Sequence, residues 1–108
     1  MRMNEYQKLA NRTANKDLSK RARLTNGCIT VTTEGAEALD YLKKAMFQGH
    51  GLNNQKVIEE LGDALWGIAE AATALGVSMA FIADCNVQKL KRRYPAGFST
   101  KASVNRDE

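Results

Sequence analysis

Proline, cysteine and long apolar runs are all scarce in this 108-residue chain. Its single proline is Pro95, so no residue before it lacks the backbone donor that a helix needs. Its two cysteines, Cys28 and Cys85, lack metal-type spacing, and their apolar helical surroundings predict buried, reduced thiols and no disulfide. No apolar run approaches the roughly 18 residues of a membrane span, and the N-terminus lacks a signal-peptide core. We therefore expect an all-helical, cytoplasmic protein without a membrane partner.

Positive charge is in excess and is unevenly distributed. The chain has 16 Lys and Arg residues against 12 Asp and Glu residues, a formal charge of +4. Half of the basic residues fall into two groups: Lys16, Lys20, Arg21 and Arg23, and Lys89, Lys91, Arg92 and Arg93. Such a balance favours an anionic partner, either nucleic acid or a phosphorylated small molecule. The second group has no interleaved aromatic residues and no known nucleic-acid-binding motif, so we do not expect nucleic acid as the partner.

Helical periodicity predicts four helices, at about residues 4–21, 26–47, 54–75 and 78–93. In the first, Asn15-Lys16-Asp17 weakens the pattern, and residues 18–25 either extend the helix or form a basic connection. In the second, the β-branched run at residues 29–33 favours a strand by propensity, but the periodicity of the apolar residues favours a helix.

Capping residues support these boundaries. Asn53 or Asn54 and then Ser78 are suitable N-caps, and Gly76 is suited to end the third helix. The tail, about residues 96–108, is expected to be extended and partly flexible. We predict a single domain over residues 1–108 with an all-α, four-helix bundle-like fold.

The third predicted helix has almost no solvated face over its middle. Apolar or small residues occupy most of its circumference, so it should be covered on several sides. A chain of this length is a modest source of such cover, and a second subunit would supply more. We therefore expect a homo-oligomer.

Two acidic pairs lie within these helices. Glu34 and Glu37, and likewise Glu60 and Asp63, are three residues apart, so each pair lies on one helix face. Like charges in this arrangement repel unless a cation lies between them. The hard cations Mg²⁺ and Mn²⁺ prefer the all-oxygen shell that four carboxylates would give. On its own, the first pair would be read as a solvated face with Asp40 paired to Lys44.

With their flanking residues, these pairs resemble the metal-binding signature of the all-α nucleoside triphosphate pyrophosphohydrolases, in particular the small stand-alone MazG-like enzymes. The resemblance covers nearly the whole chain and rests on an ordered series of motifs. The motifs are Glu5-Tyr6-Gln7, Glu34-x-x-Glu37, Lys43-Lys44-x-x-Phe47-x-Gly49-His50, Glu59-Glu60-Leu61-Gly62-Asp63 and Asn86-x-x-Lys89-Leu90-x-x-Arg93-Tyr94-Pro95.

The resemblance implies Mg²⁺-dependent hydrolysis of (deoxy)nucleoside triphosphates to a nucleoside monophosphate and pyrophosphate, in nucleotide-pool housekeeping. It assigns catalysis and metal binding, with Mn²⁺ as an alternative ion, to Glu34, Glu37, Glu60 and Asp63. It places Asn86 and Lys89 against the sugar or phosphates, with Arg93 and Tyr94 as further substrate-binding residues. It also implies a dimer or a tetramer.

Some residues depart from the family pattern or remain open. Thr30 and Thr33 stand where the family usually has small residues, a difference that bears on the substrate more than on the reaction. His50 either contacts a phosphate or caps the preceding helix, and Trp66 either stacks on a base or packs in the core or between subunits. The base preference and the number of metal ions stay open. The alternative function is a non-catalytic basic helical module that binds nucleic acid or a protein.

Overall fold

The computed structural model describes residues 1–106, so the last two residues of the predicted tail, Asp107 and Glu108, lie outside the described residues. Within this range all regular structure is helical, which confirms the predicted all-α class. The helices are α1 (Met3–Ala10), α2 (Lys20–Phe47), α3 (Asn54–Leu75), α4 (Met79–Arg93) and α5 (Thr100–Val104), and a 3-10 turn (Asn11–Thr13) follows α1.

The first predicted helix, at residues 4–21, is wrong in its second half. After the 3-10 turn the chain leaves the helical path, and the Asp17 N–H donates to Oδ1 of Asn15 over 3.1 Å in a local side-chain turn. Ser19 then begins α2, because its Oγ accepts from the Ala22 N–H at 3.1 Å. The basic segment that follows therefore forms the first turns of α2, which begins six residues before the predicted start at 26.

The helical interpretation of the β-branched run is correct. The Thr30 and Thr32 hydroxyls donate to the carbonyls of Asn26 and Cys28, 2.8 and 3.0 Å away, so the helix itself satisfies these polar groups. The predicted caps at Asn53 and Ser78 are also present, and Gly76 ends α3 with a φ of 72°. The tail differs from the predicted extended conformation, because Ser99 caps the short helix α5 within it.

The crossing of α2 and α3 is the main packing interaction of the fold. The two helices run antiparallel and come closest at Gly27 and Gly67, where a Cβ on Gly67 would lie 2.7 Å from the Gly27 carbonyl oxygen. A Cβ on Gly27 would lie 2.6 Å from the Gly67 carbonyl oxygen. Only glycine at both positions allows the backbones to approach this closely.

Helix α1 lies across the end of α3 and the start of α4. The Gln7 side chain donates to the Val77 carbonyl at 2.9 Å and accepts from the Met79 N–H at 2.8 Å. Asn4 Oδ1 accepts from the Ala80 N–H at 3.2 Å. These bonds satisfy donors at the first turn of α4 that have no partner within the helix. They also hold the helices around a small core formed by Ala10, Ala69, Ala72 and Met79.

A large apolar surface remains uncovered on the α2–α3 pair. We call this surface the apolar face; its residues are 36–74% exposed and comprise Leu39, Leu42 and Met46 on α2 and Ile58, Leu61 and Leu65 on α3. The radius of gyration is 16.9 Å, whereas a compact domain of this length has one of about 13 Å. The single chain thus leaves much of its apolar surface in contact with water.

Two sequence predictions about apolar segments have different outcomes. Both cysteines are free, but both are exposed, so the prediction of buried thiols is wrong. The reason is that the α2–α3 contact uses other positions of α2, and Cys28 lies outside it. No single helix within residues 1–106 is long and apolar enough to cross a membrane; only α3 and α4 taken together, across a 99° bend, have the length and composition of a span.

We predict that Gly67→Ala destabilises the fold by about 1–3 kcal/mol, because the added methyl group overlaps the α2 backbone. Gly62→Ala in the same helix is the matched control, since no atom lies within 4 Å of a Cβ there. It should stabilise by up to about 1 kcal/mol through helix propensity. Urea denaturation followed by circular dichroism measures both, and equal stability of the two variants would contradict the close crossing.

Candidate functional site

The α2–α3 crossing brings acidic residues from the two helices together. Glu34 and Glu37 lie on consecutive turns of α2, and Glu60 faces them from α3. One carboxylate oxygen from each of the three lies within 4.8 Å of the others. We call these three residues the acid cluster. In antiparallel helices, the contact that pairs Gly27 with Gly67 also sets Glu34 opposite Glu60, because each partner lies seven residues, about two turns, further from the crossing.

The acid cluster is partly shielded from water. Glu34 and Glu60 are half-buried, whereas Glu37 is exposed. Within the described chain, Oε2 of Glu34 and Oε2 of Glu60 are buried atoms without a hydrogen-bond partner. Burying a carboxylate oxygen without a partner costs free energy, so this arrangement favours a cation bound between the helices.

The clustering changes the acidity of Glu34. The Glu60 carboxylate beside it, loss of hydration and the Glu37 carboxylate together raise the pKa of Glu34 from 4.5 to about 7. Each of these causes disfavours a second or third negative charge in the same small space. Near pH 7 Glu34 is therefore protonated in about half of the folded molecules, unless another positive charge takes the place of the proton.

Asp63 lies one turn beyond Glu60 on α3 and outside the acid cluster as the side chains stand. It is exposed, and its charge acts on Tyr6 of α1. Burial, and secondly the negative charge of Asp63, raise the pKa of Tyr6 above its ordinary value. Asp63 therefore borders the cluster on the side that faces α1, and Tyr6 is a neighbour of the site that its position in the sequence did not reveal.

The donor set fits a hard divalent cation. All the ligand atoms on offer are carboxylate oxygens, which Mg²⁺ and Mn²⁺ prefer, and no thiol or imidazole belongs to the cluster among the described residues. The two buried oxygens without partners are the positions that a metal ion would satisfy. The cluster thus has the chemistry expected of a metal centre for phosphate substrates.

The four residues assigned to substrate binding lie on another part of the molecule. Asn86, Lys89 and Arg93 belong to α4, which turns 99° away from α3, and Tyr94 follows α4 with its ring 5.4 Å from that of Phe98. From Asp63 the chain runs about 18 Å along α3 before α4 begins. The 99° bend directs α4 away from the axis of α3, on which Glu60 lies.

Arg23 and Glu70 form a buried ion pair that the charge pattern of the sequence did not reveal. Nε and Nη2 of Arg23 both donate to Glu70 Oε1, at 3.1 and 2.6 Å, and Nη2 also donates to Asn11 Oδ1 at 2.7 Å. Arg23 therefore joins α2 to α3 within the chain, whereas its basic group had suggested a separate anionic ligand. A glutamate on the apolar helix α3 was the available signal, because a buried carboxylate requires a paired cation.

Three other residues have structural contacts. The Trp66 indole N–H donates to Thr13 Oγ1 at 2.9 Å and to the Ala10 carbonyl at 3.1 Å, and the ring packs against the small core. The backbone N–H of His50 donates to the Lys44 carbonyl at 3.2 Å and so caps α2. Asp40 pairs with Lys44 at 3.0 Å, as the spacing predicted, and also with Lys43 at 3.4 Å. Lys44 and then Lys43 hold the pKa of Asp40 below its ordinary value.

Comparison with known proteins gives one match. The family model described as the MazG nucleotide pyrophosphohydrolase domain matches residues 27–98, about two thirds of the chain. This range includes the close crossing of α2 and α3, the acid cluster, Asp63 and all of α4. No curated protein and no solved structure matches significantly.

We predict that the metal-free protein loses stability as pH rises from 4.5 towards 7. The unfolded chain releases the Glu34 proton near 4.5, whereas the folded chain keeps it until about 7, so deprotonation favours unfolding across this window. Thermal unfolding in a chelator, at intervals across this range, measures the effect. Glu34→Gln should flatten the decline.

Mg²⁺ should raise the unfolding temperature, and the increase should be largest at pH values above the pKa of Glu34. There the carboxylates are ionised and free to bind the ion. Glu59→Gln is the control, because Glu59 is exposed and lies outside the acid cluster. An unfolding temperature that does not depend on Mg²⁺ at about pH 8 would contradict the metal centre.

Proposed function

Because the chain belongs to the MazG nucleotide pyrophosphohydrolase family, we propose that it hydrolyses (deoxy)nucleoside triphosphates to nucleoside monophosphate and pyrophosphate with Mg²⁺ as cofactor. Mn²⁺ is the alternative ion. The observation that carries the proposal is the acid cluster, in which three carboxylates from two helices converge and two of their buried oxygens lack a hydrogen-bond partner. An arrangement this costly is retained when a ligand completes it.

Glu34, Glu37 and Glu60 would hold the metal, and Asp63 would join them through a change of rotamer. When bound there, Mg²⁺ supplies positive charge to the oxygens of the phosphate chain. The half-buried carboxylates fix where that charge lies, and the close helix crossing keeps them from moving apart.

The exposed acids are suited to proton transfer. Glu37 and Asp63 are in contact with solvent, so either can orient a water molecule and accept its proton. The water oxygen bonds to phosphorus, the bond between the α- and β-phosphates breaks, and pyrophosphate leaves. The proton passes from the carboxylate to solvent.

A second copy of the chain would complete the site. The apolar face lies on the side of the α2–α3 pair away from Glu37 and Asp63, so two copies can pack these faces together and leave both acid clusters open. Two helix pairs joined in this way form a four-helix bundle. We propose a dimer, or a tetramer of two such dimers.

Oligomerisation would also explain the position of the substrate-binding residues on α4. The second half of α4 carries Asn86, Lys89 and Arg93 on one side, about three and four residues apart and beyond the small core. We propose that these residues approach the acid cluster of another copy, where Lys89 and Arg93 would counter phosphate charge. The setting that we propose is nucleotide-pool housekeeping in the cytoplasm.

The reaction is tested by incubating the protein with each (d)NTP and Mg²⁺ and measuring pyrophosphate and orthophosphate separately. We predict pyrophosphate as the product, with kcat/KM lowered at least about 100-fold in Glu60→Gln because one metal ligand is lost. Glu59→Gln, one residue away and outside the acid cluster, should stay within about twofold.

Two results would contradict the proposed reaction. Orthophosphate as the main product would mean that a different bond is cleaved. No turnover of any triphosphate, together with tight salt-dependent binding of DNA or RNA, would instead support a nucleic-acid-binding module.

We predict that Leu39→Glu dissociates the oligomer, because it buries a charge in the proposed interface while disturbing little in the single chain, where Leu39 is 66% exposed. Val104→Glu is the control, since Val104 is 75% exposed in α5, away from the apolar face. Light scattering measures the mass of each. A wild-type monomer, or equal mass in both variants, would contradict the interface.

A further inference from the structure

Lys44 and Lys56 lie on the side of the acid cluster that faces the α2–α3 loop, and the proposed reaction gives neither a role. We propose that these two side chains, the lysine pair, hold the phosphate chain of the substrate beyond the metal centre. This inference rests on the proposed function and adds to it a direction of binding, with the phosphates towards the α2–α3 loop and the nucleoside towards α1.

Lys44 shares a helix face with the acid cluster. Glu37, Tyr41 and Lys44 are spaced by four and then three residues, so they form one row along α2. The row rises about 10 Å from Glu37 to Lys44, a distance that a flexible four-carbon side chain shortens by bending back. Tyr41, between them, donates its hydroxyl to the Gly51 carbonyl at 3.4 Å and ties the α2–α3 loop to this row.

Lys56 lies on the same side of the acid cluster, on α3. It lies four residues before Glu60, one turn or about 6 Å away on the same face, and it is the only basic residue of α3. Because α3 runs opposite to α2, residues that precede Glu60 and residues that follow Glu37 lie towards the same loop. The lysine pair therefore approaches the substrate from two helices at one end of the acid cluster.

Other basic residues of α2, and those of α4, are less well placed to reach a phosphate at the acid cluster. Arg23 lies at the opposite end of the crossing and is bonded to Glu70 and Asn11. Lys20 and Arg21 are at the start of α2, more than about 18 Å along the axis from Glu34. The basic residues of α4 belong to a helix that leaves α3 at a 99° bend. Among the basic residues of α2 and α3, only the lysine pair lies both on the helix faces of the acid cluster and towards the α2–α3 loop.

The contacts of Asp40 make Lys44 available to a ligand. Asp40 pairs with Lys44 through Oδ2 and with Lys43 through Oδ1. If Lys44 turns to a phosphate, Lys43 still neutralises Asp40, so the exchange leaves no carboxylate unpaired. Before substrate arrives, the ion pair with Asp40 keeps Lys44, 43% exposed, close to α2. Asp40 thus positions a cation that the substrate takes over.

Lys43 provides a matched control within the same ion-pair set. It has the same charge and also contacts Asp40, but it lies about 100° around α2 from Lys44 and away from the row that contains Glu37. Removing Lys43 changes the net charge as much as removing Lys44. Only position distinguishes them, so a difference between the variants reports geometry and not overall electrostatics.

The test is calorimetric binding of inorganic tripolyphosphate in the presence of Mg²⁺, with competition against NTP hydrolysis as a second readout. We expect Lys44→Met and Lys56→Met each to weaken tripolyphosphate binding, and to raise its inhibition constant, by about tenfold or more, as for loss of a charge-assisted hydrogen bond. Lys44→Arg should retain most of the affinity, and Lys43→Met should stay within about twofold of wild type.

The outcomes separate this inference from the proposed reaction. Equal affinities in Lys43→Met and Lys44→Met, or wild-type protein that does not bind tripolyphosphate, would overturn the lysine pair even if NTP hydrolysis proceeds. Wild-type protein that binds tripolyphosphate through Lys44 and Lys56 but releases no pyrophosphate from any NTP would support the lysine pair and overturn the reaction.

Discussion

The contact between the backbones of α2 and α3 at Gly27 and Gly67 is the constraint on which the rest of the structure depends. With only hydrogen atoms between the helices there, the axes lie close together for the turns on either side. On one side Arg23 reaches Glu70 and forms a buried ion pair. On the other, seven residues from each glycine, Glu34 meets Glu60. One close approach therefore produces a pair of opposite charges at one end, where Glu70 Oε1 is bonded and Oε2 is not, and a cluster of like charges at the other.

That asymmetry links stability to function. The Arg23–Glu70 pair includes its own cation, and its hydrogen bonds join α2, α3 and the turn after α1. The ion pairs of Arg23, Lys43 and Lys44 are with Glu70 and Asp40 and not with the acid cluster, and the pKa of Glu34 is raised to about 7. A chain built in this way would gain stability from the same divalent ion that its proposed chemistry requires. The exposed apolar face, on the other side of the helix pair, is the second place where the single chain is incomplete.

Much of the fold can be predicted from the sequence because its signals are local. Asn53, Ser78 and Gly76 set helix ends through backbone chemistry that a few neighbouring residues determine. The acidic pairs can be recognised for the same reason, since a spacing of three residues places both side chains on one face of a helix. What the sequence does not show are contacts between distant residues. How the helices cross determines the contacts of Gln7 with Met79 and of Arg23 with Glu70, and the position of Tyr6 near Asp63. The charge pattern had placed Arg23 in a basic group that favours an anionic ligand. Exposure of the cysteines was missed because it depends on which helix face is left uncovered.

The most direct test of the central claim, that Glu34, Glu37 and Glu60 form a divalent metal centre, is a titration of the protein with Mn²⁺, with the free ion measured by electron paramagnetic resonance. We predict saturable binding in whole-number stoichiometry per chain at about pH 8, weaker binding as Glu34 becomes protonated below its pKa, and loss of the tight site in Glu60→Gln. Wild-type protein that leaves Mn²⁺ free, or Glu60→Gln that binds it as tightly as wild type, would contradict the claim.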